Sequence, residues 1–319
     1  MDSENKDLVP ADWFQKSHDY TLFNYIVENI ADLIDDMELK NTMLLLGAGT
    51  SDGGNYKGKV ITTGYFNATQ DVVCKGVMVV GKSVFDGLVI VDGNTKIAGK
   101  SEFKDYAIFG GTKTEIAGKI HSRSHIVSSS KIKLDGRISI EGNLYTDNNT
   151  YLKGEISLED LRSTSLIFVN AHLLVDGDIT AEEFVLSKGG GEVNNITAKL
   201  VSIGFRDKRT ARKYHDKAVE RVNLANPITL SKYIVGMVKH GLSFKRKKYG
   251  PFHIKGTIDA DEIYLSNCIV DGDINGKNVT IGENVQIQGQ ITCSDKLELP
   301  AGKENEYNLS GNKSKITSG

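Results

Sequence analysis

A short glycine-containing step, Gly-x-[Ile/Val/Met], recurs along most of the chain and constrains its fold more than any other feature. Copies begin at Gly58, Gly76, Gly118, Gly136, Gly154, Gly177, Gly256, Gly272 and Gly289, with degenerate copies at Gly99 and Asn194. Seven of the intervals between successive copies are 16 to 19 residues, two are 23, and one, from 194 to 256, is 62. A shared period of this kind indicates a repeat architecture.

The repeat predicts an all-β chain, a parallel β-helix (β-solenoid) of about 17–18 residues per coil. Apolar and polar residues alternate over short runs, and stacked coils would bury the apolar side in one core. The 33 glycines and only 4 prolines fit a continuous ladder, which cannot spare N–H donors. An ordinary β-sandwich would show strand spacing but no shared Gly-x-Ile register. The glycines expected to form turns between strands are Gly118, Gly136, Gly154, Gly177, Gly256, Gly272 and Gly289.

The N-terminal residues 1–46 are predicted to form an acidic, helical head. Residues 2–40 contain ten acidic and three basic residues, a net charge of −7. The apolar residues at helical three- and four-residue steps are Leu22, Phe23, Ile26, Ile30, Leu33, Ile34 and Met37. We favour a cap over the open end of the solenoid rather than a partner-binding helix, because a terminal coil has unpaired backbone groups. Residues 43–46 fit a first strand or a weak membrane-touching segment.

The segment Gly47 to Gly54 is glycine-rich, but it lacks the Gly-Lys-Ser/Thr ending of a phosphate loop. We interpret it as a flexible hinge between head and solenoid. The solenoid itself is expected over 47–204 and 251–300, with a flexible tail over 301–319.

The 62-residue interval predicts an insertion over 205–250 that is partly helical. Residues 206–248 contain thirteen basic and three acidic residues, a net charge of +10, and apolar residues recur at helical spacing over 228–242. Basic residues that could contact an anionic membrane or an acidic partner are Lys232, Lys239, Lys245, Arg246, Lys247 and Lys248. The alternatives are packing of the apolar stripe against the solenoid wall, or attraction to the acidic head. Nucleic acid is the weakest alternative, because no recognisable reading motif is present.

No catalytic, metal or cofactor constellation emerges from the sequence. Cys74, Cys268 and Cys293 form no CxxC pattern and are expected to be buried or half-buried thiols. His121 and His125 have no third metal ligand in sight. The recurring aspartates lack the repeat of a calcium ladder and fit turn chemistry. A hexapeptide-type acyltransferase, which also has 18-residue coils, is the enzymatic alternative, but the six-residue register is poor. With neither a signal peptide nor an apolar run of about 18 residues, we expect a cytoplasmic protein.

The coil sequences resemble the bactofilins, polymer-forming bacterial cytoskeletal proteins. The resemblance rests on Gly177–Leu186 (GDITAEEFVL), on Val270–Ile274 (VDGDI) and on similar steps at Gly136 and Gly154, and it covers roughly residues 58–299 apart from the insertion. It implies a right-handed β-helix that polymerises end to end without nucleotide into filaments or patches that scaffold other proteins, often at the inner membrane. We expect no enzymatic activity, because the sequence shows no fixed polar constellation. The acidic head and the basic insertion depart from the family pattern, and a head that caps one end could block polymerisation.

Overall fold

The structure is a computed structural model that describes residues 43–205, 208–218, 249–303, 306–310 and 316–318. These residues are nearly all β and form a parallel β-solenoid of about 13 turns, which confirms the predicted fold class. They divide into two compact units. Of the described residues, unit 1 comprises those up to Thr150 together with Ile156–Ser165, and unit 2 comprises Tyr151–Glu155 and those from Leu166 onward. The predicted helix of the acidic head lies outside the described residues.

Unit 1 is built from long strands that alternate with three-residue strands. Its strands are β1 (Met43–Ser51), β2 (Gly54–Ala68), β3 (Val72–Phe85), β4 (Val89–Val91), β5 (Thr95–Phe103), β6 (Ala107–Phe109), β7 (Lys113–Ser122), β8 (Ile126–Ser128), β9 (Lys131–Ile140), β10 (Leu144–Thr146) and β12 (Leu161–Ser163), while β11 (Thr150–Leu158) has residues in both units. The long strands β1, β2, β3, β5, β7 and β9 pair in parallel in that order, and so do the short strands β4, β6, β8, β10 and β12. Paired residues are 17 to 19 positions apart, which is the length of one coil.

Unit 2 repeats this plan around one insertion. Its elements are β13 (Leu166–Val175), β14 (Ile179–Leu186), β15 (Gly190–Val193), β16 (Ile196–Ile203), α1 (Lys208–Ala218), β17 (Phe252–Ile254), β18 (Ile258–Leu265), β19 (Cys268–Val270), β20 (Ile274–Ile281), β21 (Val285–Ile287), β22 (Gln290–Leu299), β23 (Asn308–Ser310) and β24 (Ile316–Ser318). Ile196 in β16 pairs with Ile258 in β18, so the ladder resumes in register after the 62-residue interval.

The core of unit 1 consists of aromatic residues stacked from coil to coil. The rings of Phe85 and Phe103 are parallel, with centroids 5.2 Å apart, and Phe66 and Phe109 contact them edge-on. All four side chains are buried. Buried hydroxyl groups are paired in the same way, since Ser83 Oγ donates to Ser101 Oγ at 2.7 Å. Each coil therefore contributes the same inward positions to one continuous core.

One set of glycines forms a corner within the long strands of unit 1. Gly47, Gly64, Gly81, Gly99, Gly118 and Gly136 are paired in succession, and each has φ between 100° and 133°. A β-carbon on Gly118 would lie 2.0 Å from the carbonyl oxygen of Gly99, and the other inner members are equally close to their predecessors. Only glycine fits both this backbone conformation and this contact. Gly154 also has a positive φ, of 106°.

A second set of glycines lies in the turns, and two of them, Gly256 and Gly289, make room for a side-chain acceptor of the preceding coil. Asn195 Oδ1 accepts from the backbone N–H of Thr257 at 2.8 Å, and a β-carbon on Gly256 would lie 2.1 Å from that oxygen. Gly289 stands in the same relation to Asp273, whose Oδ1 accepts from the N–H of the next residue. The turn glycines Gly177, Gly256, Gly272 and Gly289 are absent from the positive-φ residues that the structure describes. Asn194 occupies the equivalent turn position by hydrogen bonds to Gly177 and Gly256, again without a positive φ.

The corner ladder explains the first of the two 23-residue intervals in the sequence repeat. Lys59 of β2 pairs with Gly76 of β3, so Gly76 lies outside the corner ladder, and Gly58 lies at a register shift between Tyr56 and Lys59. Val77 pairs with Thr95, and the position equivalent to Gly76 is therefore Asn94, 18 residues later. The interval of 23 between Gly76 and Gly99 thus joins a glycine outside the corner ladder to a corner glycine.

Two predicted boundaries differ from the structure. The expected hinge from Gly47 to Gly54 is a strand up to Ser51, because β1 pairs with β2 along its full length, from Met43 with Val60 to Ser51 with Ala68. The expected flexible tail over 301–319 contains β23 and β24, which both pair in parallel with β22. In both places the coil period continues beyond the point where the glycine step disappears from the sequence.

Candidate functional site

Among the residues that the structure describes, strand β1 leaves the core of unit 1 open at one end. Within the described residues β1 pairs with β2 alone, so the backbone groups along its other edge have no strand partner there. Its inward residues Met43 and Leu45 are only half-buried, whereas their neighbours Val60 and Thr62 in β2 are fully buried. An edge of this kind can accept another strand, and covering it would also bury apolar side chains.

The outward side of the first three long strands carries an exposed apolar surface, here called the β1–β3 face. It consists of Leu44 (64% exposed), Leu46 (72%), Met78 (42%), Val80 (40%) and Tyr65 (37%). Pairing places Leu44 beside Ile61 and Ile61 beside Met78, while Leu46 and Val80 flank Thr63. Only one other large apolar residue in the described part of the chain, Tyr249, is exposed. A contiguous apolar surface of this kind marks an interaction site.

A line of basic side chains, here called the basic column, lies next to the β1–β3 face. Lys82, Lys100, Lys119 and Arg137 each follow a corner glycine, are paired in succession and are exposed. Lys82 Nζ lies 5.0 Å from the ring centroid of Tyr65, which joins the column to the apolar face. In the described structure, Lys82, Lys100 and Lys119 make no ion pair. Like charges on adjacent coils repel each other and together attract an anionic partner.

A groove of about 270 Å³ runs beside the apolar face. Its lining residues are Lys59, Ile61, Val77, Met78, Asn94, Thr95, Lys96, Lys113 and Glu115. Apolar side chains form part of it and lysines border it. The surface therefore matches a ligand with an apolar side and negative charge.

The sequence interpretation missed this surface. Its signal is present, however, because outward positions of successive coils can be aligned once the corner glycine is known. Three residues before the corner, the sequence has Leu44, Ile61 and Met78 where later coils have Lys96 and Glu115. The misassigned register of the first two copies hid this alignment.

A partly buried polar cluster surrounds His125 on the turns of unit 1. The backbone N–H of Asn143 donates to His125 Nδ1 at 2.8 Å, and the rings of Tyr106 and Tyr145 lie on either side of the imidazole. Desolvation by burial lowers the pKa of His125, although the Asp160 carboxylate opposes this shift. Since Nδ1 is an acceptor, the neutral ring carries its proton on Nε2. The histidine therefore acts like the turn acceptors of the other coils, because it accepts a backbone N–H of the next coil.

The part of the basic insertion that the structure describes as a helix, α1, packs against strands of unit 2. A buried cluster consists of Tyr151, Leu166, Phe168 and Val185, and the partly buried residues packed against it are Leu200, Phe205, Tyr214 and Ala218. His215 contacts Tyr151 and Phe168 edge-on, and Lys217 Nζ lies 2.7 Å from Glu183 Oε2. Helix α1 therefore packs against the solenoid wall, whereas the alternative predicted for the insertion concerned the apolar stripe over 228–242, which lies outside the described residues.

The basic residues predicted to bind a membrane or partner belong to the C-terminal half of the insertion. Lys232, Lys239, Lys245, Arg246, Lys247 and Lys248, and the predicted helix over 228–242, all lie outside the described residues. The structure does describe Arg209, Arg212 and Lys213 of α1, which are exposed.

The remaining candidate groups from the sequence are the three cysteines and His121. Cys74 and Cys268 are buried and Cys293 is half-buried, as expected, and burial raises the pKa of the first two thiols to about 12. His121 Nε2 lies 3.2 Å from Glu141 Oε1, and a turn separates His121 from His125. The described residues contain no group of three or more metal-ligating side chains. They also contain no helix with the length and apolar character needed to cross a bilayer.

Comparisons with protein-family models, with curated proteins and with solved structures found no match to this chain.

Proposed function

We propose that this chain is a non-enzymatic structural protein that assembles end to end and serves as a scaffold, as the resemblance to bactofilins implies. The observation that carries the proposal is the state of β1. Its inward side chains are half-buried, and its outer edge has no strand partner in the described structure.

End-to-end stacking would satisfy both deficiencies at once. A strand added to β1 would pair with its free backbone groups and complete the burial of Met43 and Leu45. No nucleotide is needed, because the contact consists of backbone hydrogen bonds and apolar burial. The same proposal includes right-handed winding of the solenoid, an N-terminal amphipathic helix, a helix over residues 228–242 and a cytoplasmic location.

Electron microscopy of the purified full-length protein without nucleotide tests the proposal. We expect filaments or extended arrays for the natural protein and short, discrete particles for Leu45→Asp, which places a carboxylate at the open end of the core. The matched control is Thr50→Asp, an exposed outward position on the same strand, and it should assemble normally.

Two results would contradict the scaffold proposal. Discrete particles of the natural protein under all conditions would exclude filament formation, and a discrete trimer would favour the acyltransferase alternative. Equal assembly of Leu45→Asp and the natural protein would show that β1 is not the contact.

Binding of an anionic membrane or an acidic partner through the insertion is the second candidate function. It is favoured by the net charge of +10 over residues 206–248 and by the exposed Arg209, Arg212 and Lys213 on α1. Flotation with anionic vesicles tests it. We expect binding by the natural protein and a marked loss when Lys245, Arg246, Lys247 and Lys248 are replaced by Gln.

A further inference from the structure

We infer that the β1–β3 face and the basic column form a docking surface for the chain's own acidic N-terminal segment, residues 19–38. The inference does not depend on filament formation, and it concerns the outward side of β1 rather than its edge.

The chemistry of the segment matches the surface. Residues 19–38 contain six acidic residues and no Lys or Arg, and their apolar residues recur at helical spacing. The surface offers Leu44, Leu46, Met78 and Val80 beside a column of lysines without ion pairs among the described residues. Apolar contacts would provide most of the affinity, and the opposite charges would fix the orientation.

The covalent connection makes this segment a better occupant than any free partner. Residue 38 is only five positions from Met43, the first residue of β1, so the segment is held next to Leu44 and Leu46. Tethering at this distance gives a high effective concentration without any additional contact.

A second copy of the same face is a poor occupant. A symmetric contact would bring the β1–β3 faces together and place Lys82, Lys100 and Lys119 near the same lysines of the other copy. Such like-charge contacts are unfavourable. The acidic segment has the opposite charge.

Hydrogen exchange of the full-length protein, followed by mass spectrometry of peptides covering residues 19–38, tests the inference. An isolated helix of this length is only marginally stable in water, so an undocked segment would exchange rapidly. We expect protection in the natural protein, and exchange at least about tenfold faster in the double variant Met78→Glu/Val80→Glu, because local opening follows the loss of packing. Both positions are exposed, so the solenoid should remain folded.

Two further samples separate docking from a general effect of added charge. Ile269→Glu makes the same kind of change at a half-buried outward position of unit 2 and should leave residues 19–38 protected. Lys82→Glu/Lys100→Glu/Lys119→Glu reverses the basic column and should increase the exchange of residues 19–38, as should added salt.

Several outcomes would overturn the inference. Rapid exchange of residues 19–38 in the natural protein would show that the segment is not docked. Protection that depends on protein concentration would indicate a second copy as the occupant, and protection that arises only with anionic vesicles would indicate a lipid surface. Filament formation, examined on the same samples, can fail or succeed independently of each result.

Discussion

Asn195 and Thr257 are 62 residues apart in the chain, yet the Asn195 amide oxygen accepts hydrogen bonds from the backbone N–H of Thr257 at 2.8 Å and from its hydroxyl at 3.2 Å. The amide nitrogen of Asn195 donates to Asp178 Oδ1 at 2.8 Å. One side chain therefore links the coil before the insertion to the coils on both sides of it. Because Ile196 pairs with Ile258 directly beyond this contact, Asn195 helps to set the register in which the ladder resumes.

We predict that Asn195→Ala lowers the free energy of unfolding by about 1–3 kcal/mol, since the N–H of Thr257 loses its partner in a half-buried turn. The urea midpoint of the full-length protein measures the change. Asn275→Ala is the control, because the Asn275 amide donates to the exposed Asp259 side chain, and its cost should stay within about 0.5 kcal/mol. Equal costs for the two variants would refute a special role for Asn195.

The corner glycines of unit 1 allow the energetic cost of an unfavourable backbone conformation to be measured separately from the cost of a close contact between coils. Gly118 and Gly47 both have positive φ, but a β-carbon on Gly47 would have no heavy atom within 4 Å, whereas on Gly118 it would meet backbone at 2.0 Å. We expect Gly47→Ala to cost about 1–3 kcal/mol from conformation alone. Gly118→Ala should cost about 1–3 kcal/mol more, because the neighbouring coil must move. Thermal or urea unfolding measures the two losses of stability. Equal losses for Gly47→Ala and Gly118→Ala would be inconsistent with close contact between the corner glycines of adjacent coils.

Thiol reactivity should distinguish the three cysteines. Burial raises the pKa of Cys74 and Cys268 to about 12, so both stay protonated and unreactive at pH 8, while the half-buried Cys293 should react. Titration with a chromogenic disulfide reagent should count one fast thiol in the folded protein and three in denaturant. Cys293→Ser should abolish the fast phase, and a remaining fast phase would contradict the burial of the other two.

The same two thiols predict a loss of stability at high pH. In the unfolded chain a thiol titrates near pH 8.5, whereas the folded state keeps its proton until about pH 12. The folded state therefore holds more protons between these values, and its stability should fall as the pH rises through this range. Replacing Cys74 and Cys268 together by Ala should make the free energy of unfolding less dependent on pH in this range, as measured by urea unfolding at alkaline pH.

His125 predicts a loss of stability at acidic pH. Burial lowers its pKa in the folded state, so below about pH 6.5 the unfolded chain binds a proton that the folded chain does not. Stability should accordingly fall as the pH drops below 6.5, until the folded-state pKa is passed.

His125→Asn should remove this acidic loss while keeping the acceptor, since Asn143, the equivalent residue of the next coil, already accepts from the N–H of Asp160. Urea midpoints at neutral and acidic pH measure the effect. The control is His121→Asn, on the exposed side of β7, which should keep the pH dependence of the natural protein. If this control instead lost the pH dependence, the acidic loss of stability could not be assigned to His125.

The sequence determined the fold class, the length of the coil and the position of the insertion, and each follows from a local requirement that recurs. A buried apolar residue such as Ile196 or Ile258 must alternate with polar neighbours, and a close contact such as that of Gly256 with the Asn195 side chain requires glycine. These requirements leave the same residue types at the same spacing, and the period can be counted directly.

Only the tertiary structure decided which glycines are equivalent and which surface is left open. The corner at Gly118 and the turn at Gly256 share the Gly-x-Ile pattern, but one glycine is required by its φ and a carbonyl oxygen, and the other by the Asn195 side chain. Likewise, Leu44, Met78 and Val80 are distant in the chain and become one exposed face only when the parallel register places them side by side. Spacing along the chain is a local property, whereas neighbours across coils depend on the number of residues in each turn.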